Sequence, residues 1–138
     1  MRMRKSDWPE LLAREVEAAA ERPFCWGKHD CCLFAANIVK AMTGDDPAKA
    51  FRGRYRTEFG ARRALKRYGS GTLYHTLRSL FGNPIPPARA WRGDLVYMVT
   101  ENGPSAGVCL GAIAAFASDG LAFVPMSETA KAWRVGHG

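Results

Sequence analysis

Residues 23–39 read PFCWGKHDCCLFAANIV, and the fold turns on where this stretch is divided. Pro23 stops the helical pattern before it, and an aromatic loop, Phe24 to Gly27, leads to Asp30, a good N-cap. From Cys31 an apolar run, CCLFAANIVKAM, continues until Gly44. Leu33, Phe34, Ile38 and Val39, with the small Ala35 and Ala36, make this helix apolar around most of its girth, the pattern of a central core helix. A helix therefore starts at Cys31, and its first turn carries two adjacent thiols beside unpaired N–H groups and the positive end of the dipole.

Upstream, Asp7 and Glu10 have capping-box spacing, Pro9 fits a first turn, and Leu11, Leu12, Val16 and Ala19 supply an apolar stripe. A helix from about Asp7 to Glu21 is expected. Downstream, Thr57 to Tyr68 and Thr72 to Phe81 each open on a threonine cap and end before glycine, predicting two short surface helices. After NPIPP the pattern changes to short β-prone runs, DLVYMVT, GVCLGAI, AAFAS and LAFVPM, separated by ENGPS and by the hairpin signal SDG. SETAKAWRV reads as a turn and a last strand carrying Trp133. Helices first and strands afterwards predict one α+β domain over residues 1–138, its core helix packed on a C-terminal antiparallel sheet.

Length and composition suit such a domain: 138 residues, 47% hydrophobic and 24% charged, with no low-complexity segment. MRMRKS is basic like a signal-peptide n-region, but WPELLAREVEAAAER after it contains no apolar h-region. The longest weakly polar run, Gly107 to Ala117, is shorter than the ~20 residues that span a bilayer, so no membrane partner is expected. Cysteines at 25, 31, 32 and 109 lack a CxxC pair and read as reduced thiols. The net charge is +7, and from Arg52 to Arg67 a stripe of Arg52, Arg54, Arg56, Arg62, Arg63, Lys66 and Arg67 faces Glu58 alone. Such a stripe attracts phosphates, anionic surfaces or acidic proteins. Base-stacking aromatics and a recognised reading module are missing, which disfavours nucleic acid.

Chemically, Cys31 occupies a position that favours thiolate, and Trp26 and Gly27 give a tight aromatic approach to it. The competing reading is a small buried hydrophobe, which the helix position alone favours. Cys32 points about 100° away and reads as packing. His29, Asp30, Cys31 and Cys32 offer metal-ligand types without metal-ligand spacing, so neither metal nor cofactor is expected.

WGKHDCC followed by an apolar helix resembles the WGG-x-DCSG nucleophile motif of the NlpC-type papain-like cysteine peptidases, cell-wall hydrolases that also occur in phage tail tips. RGDLVYM at 92–98 resembles that family's GDLVFF strand. The resemblance implies a papain-like fold, with Cys31 as the nucleophile equivalent and Cys32 in place of the following serine. It also implies a base on a His-Val-Gly-Ile-Tyr-Leu-Gly strand. The matching stretch here is SAGVCLG at 105–111, which puts Ser105 at the expected histidine position, and serine does not accept a thiol proton near neutral pH. The strand that would carry the third polar residue reads LAFVPM. His29, His75 and His137 are the remaining imidazoles, and all three read as solvent-exposed.

A narrower resemblance is to small phage and prophage tail-associated proteins that share PF-x-WG-x-x-DC-x-x-FAA, TG-x-DP, RG-x-Y and GA-x-R. This chain has TGDDP at 43–47, RGRY at 52–55 and GARR at 60–63. The resemblance implies a structural component of the virion tail tip, assembled in the bacterial host cytoplasm, with an inactive peptidase site. It would meet other phage tail proteins through Trp26, Gly27, Arg62 and Arg63. Two alternatives stand beside it: an active cysteine endopeptidase or amidase acting on peptidoglycan through Cys31, and an anion or nucleic-acid binding module on the Arg52 to Arg67 stripe.

Overall fold

Three of the four helices start where a side-chain oxygen caps them. In the computed structural model, which describes residues 2–136, Asp30 Oδ1 accepts the Leu33 N–H at 2.9 Å and opens α2 (Cys31–Thr43). Thr57 Oγ1 takes the Gly60 N–H at 3.0 Å ahead of α3 (Glu58–Tyr68), and Thr72 Oγ1 takes the His75 N–H at 3.1 Å ahead of α4 (Leu73–Phe81). The first helix, α1 (Trp8–Ala20), departs from expectation because the Asp7 side chain caps nothing. A capping carboxylate needs an extended backbone to swing back over the first turn. Asp7 instead has φ −100° and ψ 23°, already turned by the Trp8 N–H to Lys5 carbonyl bond, and its own carbonyl accepts from Glu10 and Leu11.

The strands are β1 (Leu95–Thr100), β2 (Gly103–Cys109), β3 (Ile113–Ser118), β4 (Gly120–Pro125) and β5 (Lys131–Trp133), forming one antiparallel sheet in the order β4-β3-β2-β1-β5. Leu95 lies opposite Val108 and Tyr97 opposite Ala106. Because side chains alternate, Leu95, Tyr97, Ala106, Val108, Ala115 and Trp133 meet Phe34, Ile38 and Met42 of α2 in the main core. Val96, Cys109, Ala114, Phe116 and Ala132 form a second cluster on the opposite face, covered by Ile85, Ala90 and Met126. Sequence pattern had placed a strand over GVCLGAI; the strand instead begins at Gly103, since only Glu101 and Asn102 are needed to reverse the chain, and it ends before Gly111.

Two features lie outside the sequence reading. The NPIPP segment is part of the fold, with Ile85 exchanging both backbone hydrogen bonds with Ala132 beside β5. The two ends of the described chain also meet, the Arg4 N–H donating to the Gly136 carbonyl at 3.2 Å. Asp94, wholly buried just before β1, anchors them: its carboxylate accepts from Arg4 Nη2 at 2.9 Å and from the backbone N–H of Trp91 and Val135. No helix among the described residues is long and apolar enough to cross a membrane.

Candidate functional site

The stretch that decides the fold also builds its chemical centre. Cys25 and His29 exchange two backbone hydrogen bonds, closing a tight loop that Gly27 turns at φ +83°. A Cβ on Gly27 would stand 2.2 Å from the Tyr55 carbonyl oxygen, so only glycine lets these two segments pack. Asp30, 1% exposed, joins three parts of the chain, since besides capping α2 it accepts the Gly27 N–H at 2.9 Å and the Tyr55 hydroxyl at 2.7 Å. Burial, reinforced by the Asp30 carboxylate, pushes the Tyr55 phenol far above its ordinary value and keeps it a neutral donor.

Around this hub the short motifs of the sequence bond to one another. Arg52 donates to Asp46 at 2.7 Å and to Asn37 of α2 at 2.8 Å, tying the TGDDP and RGRY segments to the helix. Burial works against the Asp46 carboxylate, but the Arg52 hydrogen bond and the Ala48 N–H outweigh it and hold its pKa below the ordinary range. Ala61 of GARR packs against the cluster of Leu33, Ala36 and Tyr55, which also contains Ala64, the residue just after the motif. WG-DC, TGDDP, RGRY and GARR thus converge on one side of α2.

Cys31 is half-buried at the first residue of α2, with the Cys32 sulfur 3.9 Å away. The hydrogen bond with Cys32 and the backbone N–H of Ala106 both favour the charged form of this sulfur. Together they lower the Cys31 pKa against the opposing effects of burial and the Asp30 charge. Cys32 moves the other way, held as a thiol by its bond to Cys31 and by burial. It also lines an apolar pocket of about 70 Å3 with Leu33, Ala36, Leu73, Leu77 and Ala106. Pairing between β2 and β3 covers only Gly107 to Cys109, so the two strands part near Ala106.

Neither of the two described histidines bonds this sulfur. His29, expected on the surface, is 3% exposed; its Nε2 bonds the Gly120 carbonyl at 2.8 Å, and its buried Nδ1 has no protein partner. The loop closure that aligns Cys25 with His29 turns this ring inward, a contact between residues 91 apart that local pattern does not reveal. His75 is exposed as expected, its Nδ1 2.8 Å from Thr72 Oγ1. His137 lies outside the described residues. Among the described residues no imidazole bonds Cys31, and no group of three or more His, Cys, Asp or Glu side chains is arranged to hold a metal ion.

Ser105 lies opposite Met98, on the sheet face away from α2, with its hydroxyl turned to the Gly103 carbonyl. Ala106 is the β2 residue packed in the α2 core, in the same cluster and pocket as Cys32, so the strand position turned toward the start of the helix carries a methyl group. Of the predicted contact residues, Trp26 is half-buried against the Leu33 and Tyr55 cluster with Phe24 edge-on at 5.1 Å. Gly27 is held by Asp30 and Tyr55, whereas Arg62 is exposed and paired with Glu58 at 2.9 Å and Arg63 lies over the Phe59 ring.

Fold and site together define an α+β protein whose core helix, packed on an antiparallel sheet, begins with a thiol that no imidazole among the described residues bonds. The chain belongs to the DUF6950 family, a domain of unknown function whose profile matches residues 3–135. No curated protein matches it.

Proposed function

We propose that this chain is a non-hydrolytic relative of the NlpC-type papain-like peptidases that acts as a structural component of a phage tail tip. The observation that carries the reading is strand β2, which puts the methyl group of Ala106 on the face packed against α2 and turns Ser105 to the other face, while the His29 and His75 rings are engaged elsewhere. Acyl transfer through a thiol needs an imidazole to take its proton and return it to the leaving amine. A thiol without that partner binds or packs without turning over. The tail-tip assignment rests on the WG-DC, TGDDP, RGRY and GARR motifs, whose side chains hold the framework around α2. Arg62 and the exposed Phe59 on α3, with Phe24 beside Trp26, supply the surface that meets neighbouring tail proteins.

The test compares hydrolysis with assembly. Purified protein incubated with peptidoglycan is expected to release no soluble peptide, and Cys31→Ser to enter tails as the native chain does, while Arg62→Glu with Phe59→Ala lowers incorporation. Peptide release abolished by Cys31→Ser would establish the alternative, a peptidoglycan endopeptidase, which the lowered Cys31 pKa favours.

A further inference from the structure

The basic stripe is not one surface. Arg52 is bonded to Asp46 and Asn37, and Arg62 is paired with Glu58. Arg54, Arg63, Lys66 and Arg67 have no ion pair among the described residues, and all four line one open cleft of about 450 Å3 beside Tyr68. No carboxylate lines it.

Sequence spacing explains the convergence. Arg63, Lys66 and Arg67 fall three and four residues apart on α3 and so share a helix face, where like charges repel and contribute nothing to the helix. Arg54 arrives from the preceding loop, which is fixed on both sides, by Arg52 on Asp46 and by Tyr55 on Asp30. Its guanidinium lies 5.2 Å from the Tyr68 ring centroid and that of Arg67 lies 5.6 Å from it. The shared ring limits both side chains while leaving N–H edges free, which reduces the ordering that an incoming anion must impose.

The charge density selects the ligand. An acidic peptide spaces its carboxylates by about 3.5 Å per residue along an extended chain. Two or three consecutive phosphates place roughly three to four negative charges within a cleft of this size and suit the guanidinium fork. We propose that this cleft binds the polyphosphate group of a small molecule, with Arg54, Arg63, Lys66 and Arg67 as its ligands. The site is separate from Cys31 and independent of whether that thiol is catalytic.

Isothermal titration of the full chain with inorganic tripolyphosphate, at low salt and at about 0.15 M salt, tests it. One saturable site is expected, weakening as salt rises. Arg63→Ala and Arg67→Ala should each reduce affinity at least about tenfold, whereas Arg62→Ala, outside the cleft, should change it less than about twofold. All three side chains are exposed, and circular dichroism checks that the variants fold. Absence of binding at low salt would overturn the proposal, as would an equal loss in Arg62→Ala, which would indicate diffuse charge. Tighter binding of a polyglutamate peptide or of a single-stranded oligonucleotide of matched charge would likewise overturn it, in favour of a protein or nucleic-acid partner.

Discussion

Two buried aspartates organise this molecule in different ways. Asp30 is answered by neutral donors, the Leu33 and Gly27 N–H groups and the Tyr55 hydroxyl. Asp94 is answered by the Arg4 guanidinium together with the N–H groups of Trp91 and Val135. The first shapes a local centre, since two of its donors lie within three residues of it. The second joins the chain ends to the sheet, since Arg4 is 90 residues away and Val135 is 41. A carboxylate held by neutral dipoles sets geometry, whereas one held by a buried cation makes each charge depend on the other.

That contrast is broken most directly at Asp94. Asp94→Ala leaves Arg4, whose side chain is 8% exposed, without its carboxylate, and should destabilise the fold by about 3–5 kcal/mol in urea unfolding. Asp30→Ala removes one cap and leaves the part-buried Gly27 N–H and the buried Tyr55 hydroxyl without their acceptor, a cost of about 2–4 kcal/mol. A larger loss at Asp30 than at Asp94 would reverse the ranking and remove the distinction.

A milder change sharpens it. Tyr55→Phe takes one donor from Asp30 and should cost about 1 kcal/mol near neutral pH. The folded phenol titrates above the unfolded value of about 10, so its contribution is complete below that pH and is lost as pH rises beyond it. Urea midpoints between about pH 8 and pH 11 should therefore fall more for the native chain than for Tyr55→Phe. Parallel curves would show that the phenol is not coupled to Asp30. The smallest effect is kinetic: iodoacetamide should label Cys31 before Cys32, and labelling should persist to pH values below the ordinary thiol pKa of about 8.5, read by peptide mass mapping. Equal labelling of both thiols would mean that the neighbouring donors do not distinguish them.

Elements set by contiguous residues were legible before any coordinates. The cap at Asp30, the start at Cys31 and the stop at Gly44 follow from short-range chemistry, as do the threonine caps of α3 and α4. Asp7 was misread because a capping box predicts a side chain's reach without knowing how the preceding turn bends the backbone. The candidate site was legible in the position of Cys31 but not in its surroundings. Cys25 pairing with His29 buries a ring expected in solvent, and strand parity turns Ser105 away while bringing Ala106 to the α2 face of the sheet. Asp94 lay unnoticed within RGDLVYM, because Arg4 and Val135 are its partners only once the ends have met. The division of the basic stripe was also hidden, since it depends on which arginines find Asp46 and Glu58.

The hydrogen bond from Arg4 to Gly136 makes the described backbone a nearly closed ring in space. A ring has no privileged starting point. Joining its ends through a short flexible linker and opening it instead at the exposed Glu101–Asn102 turn would preserve the strand pairings and the Asp94 anchor alike. The same geometry lets the domain be spliced into a surface loop of another protein, leaving and re-entering its host at neighbouring points.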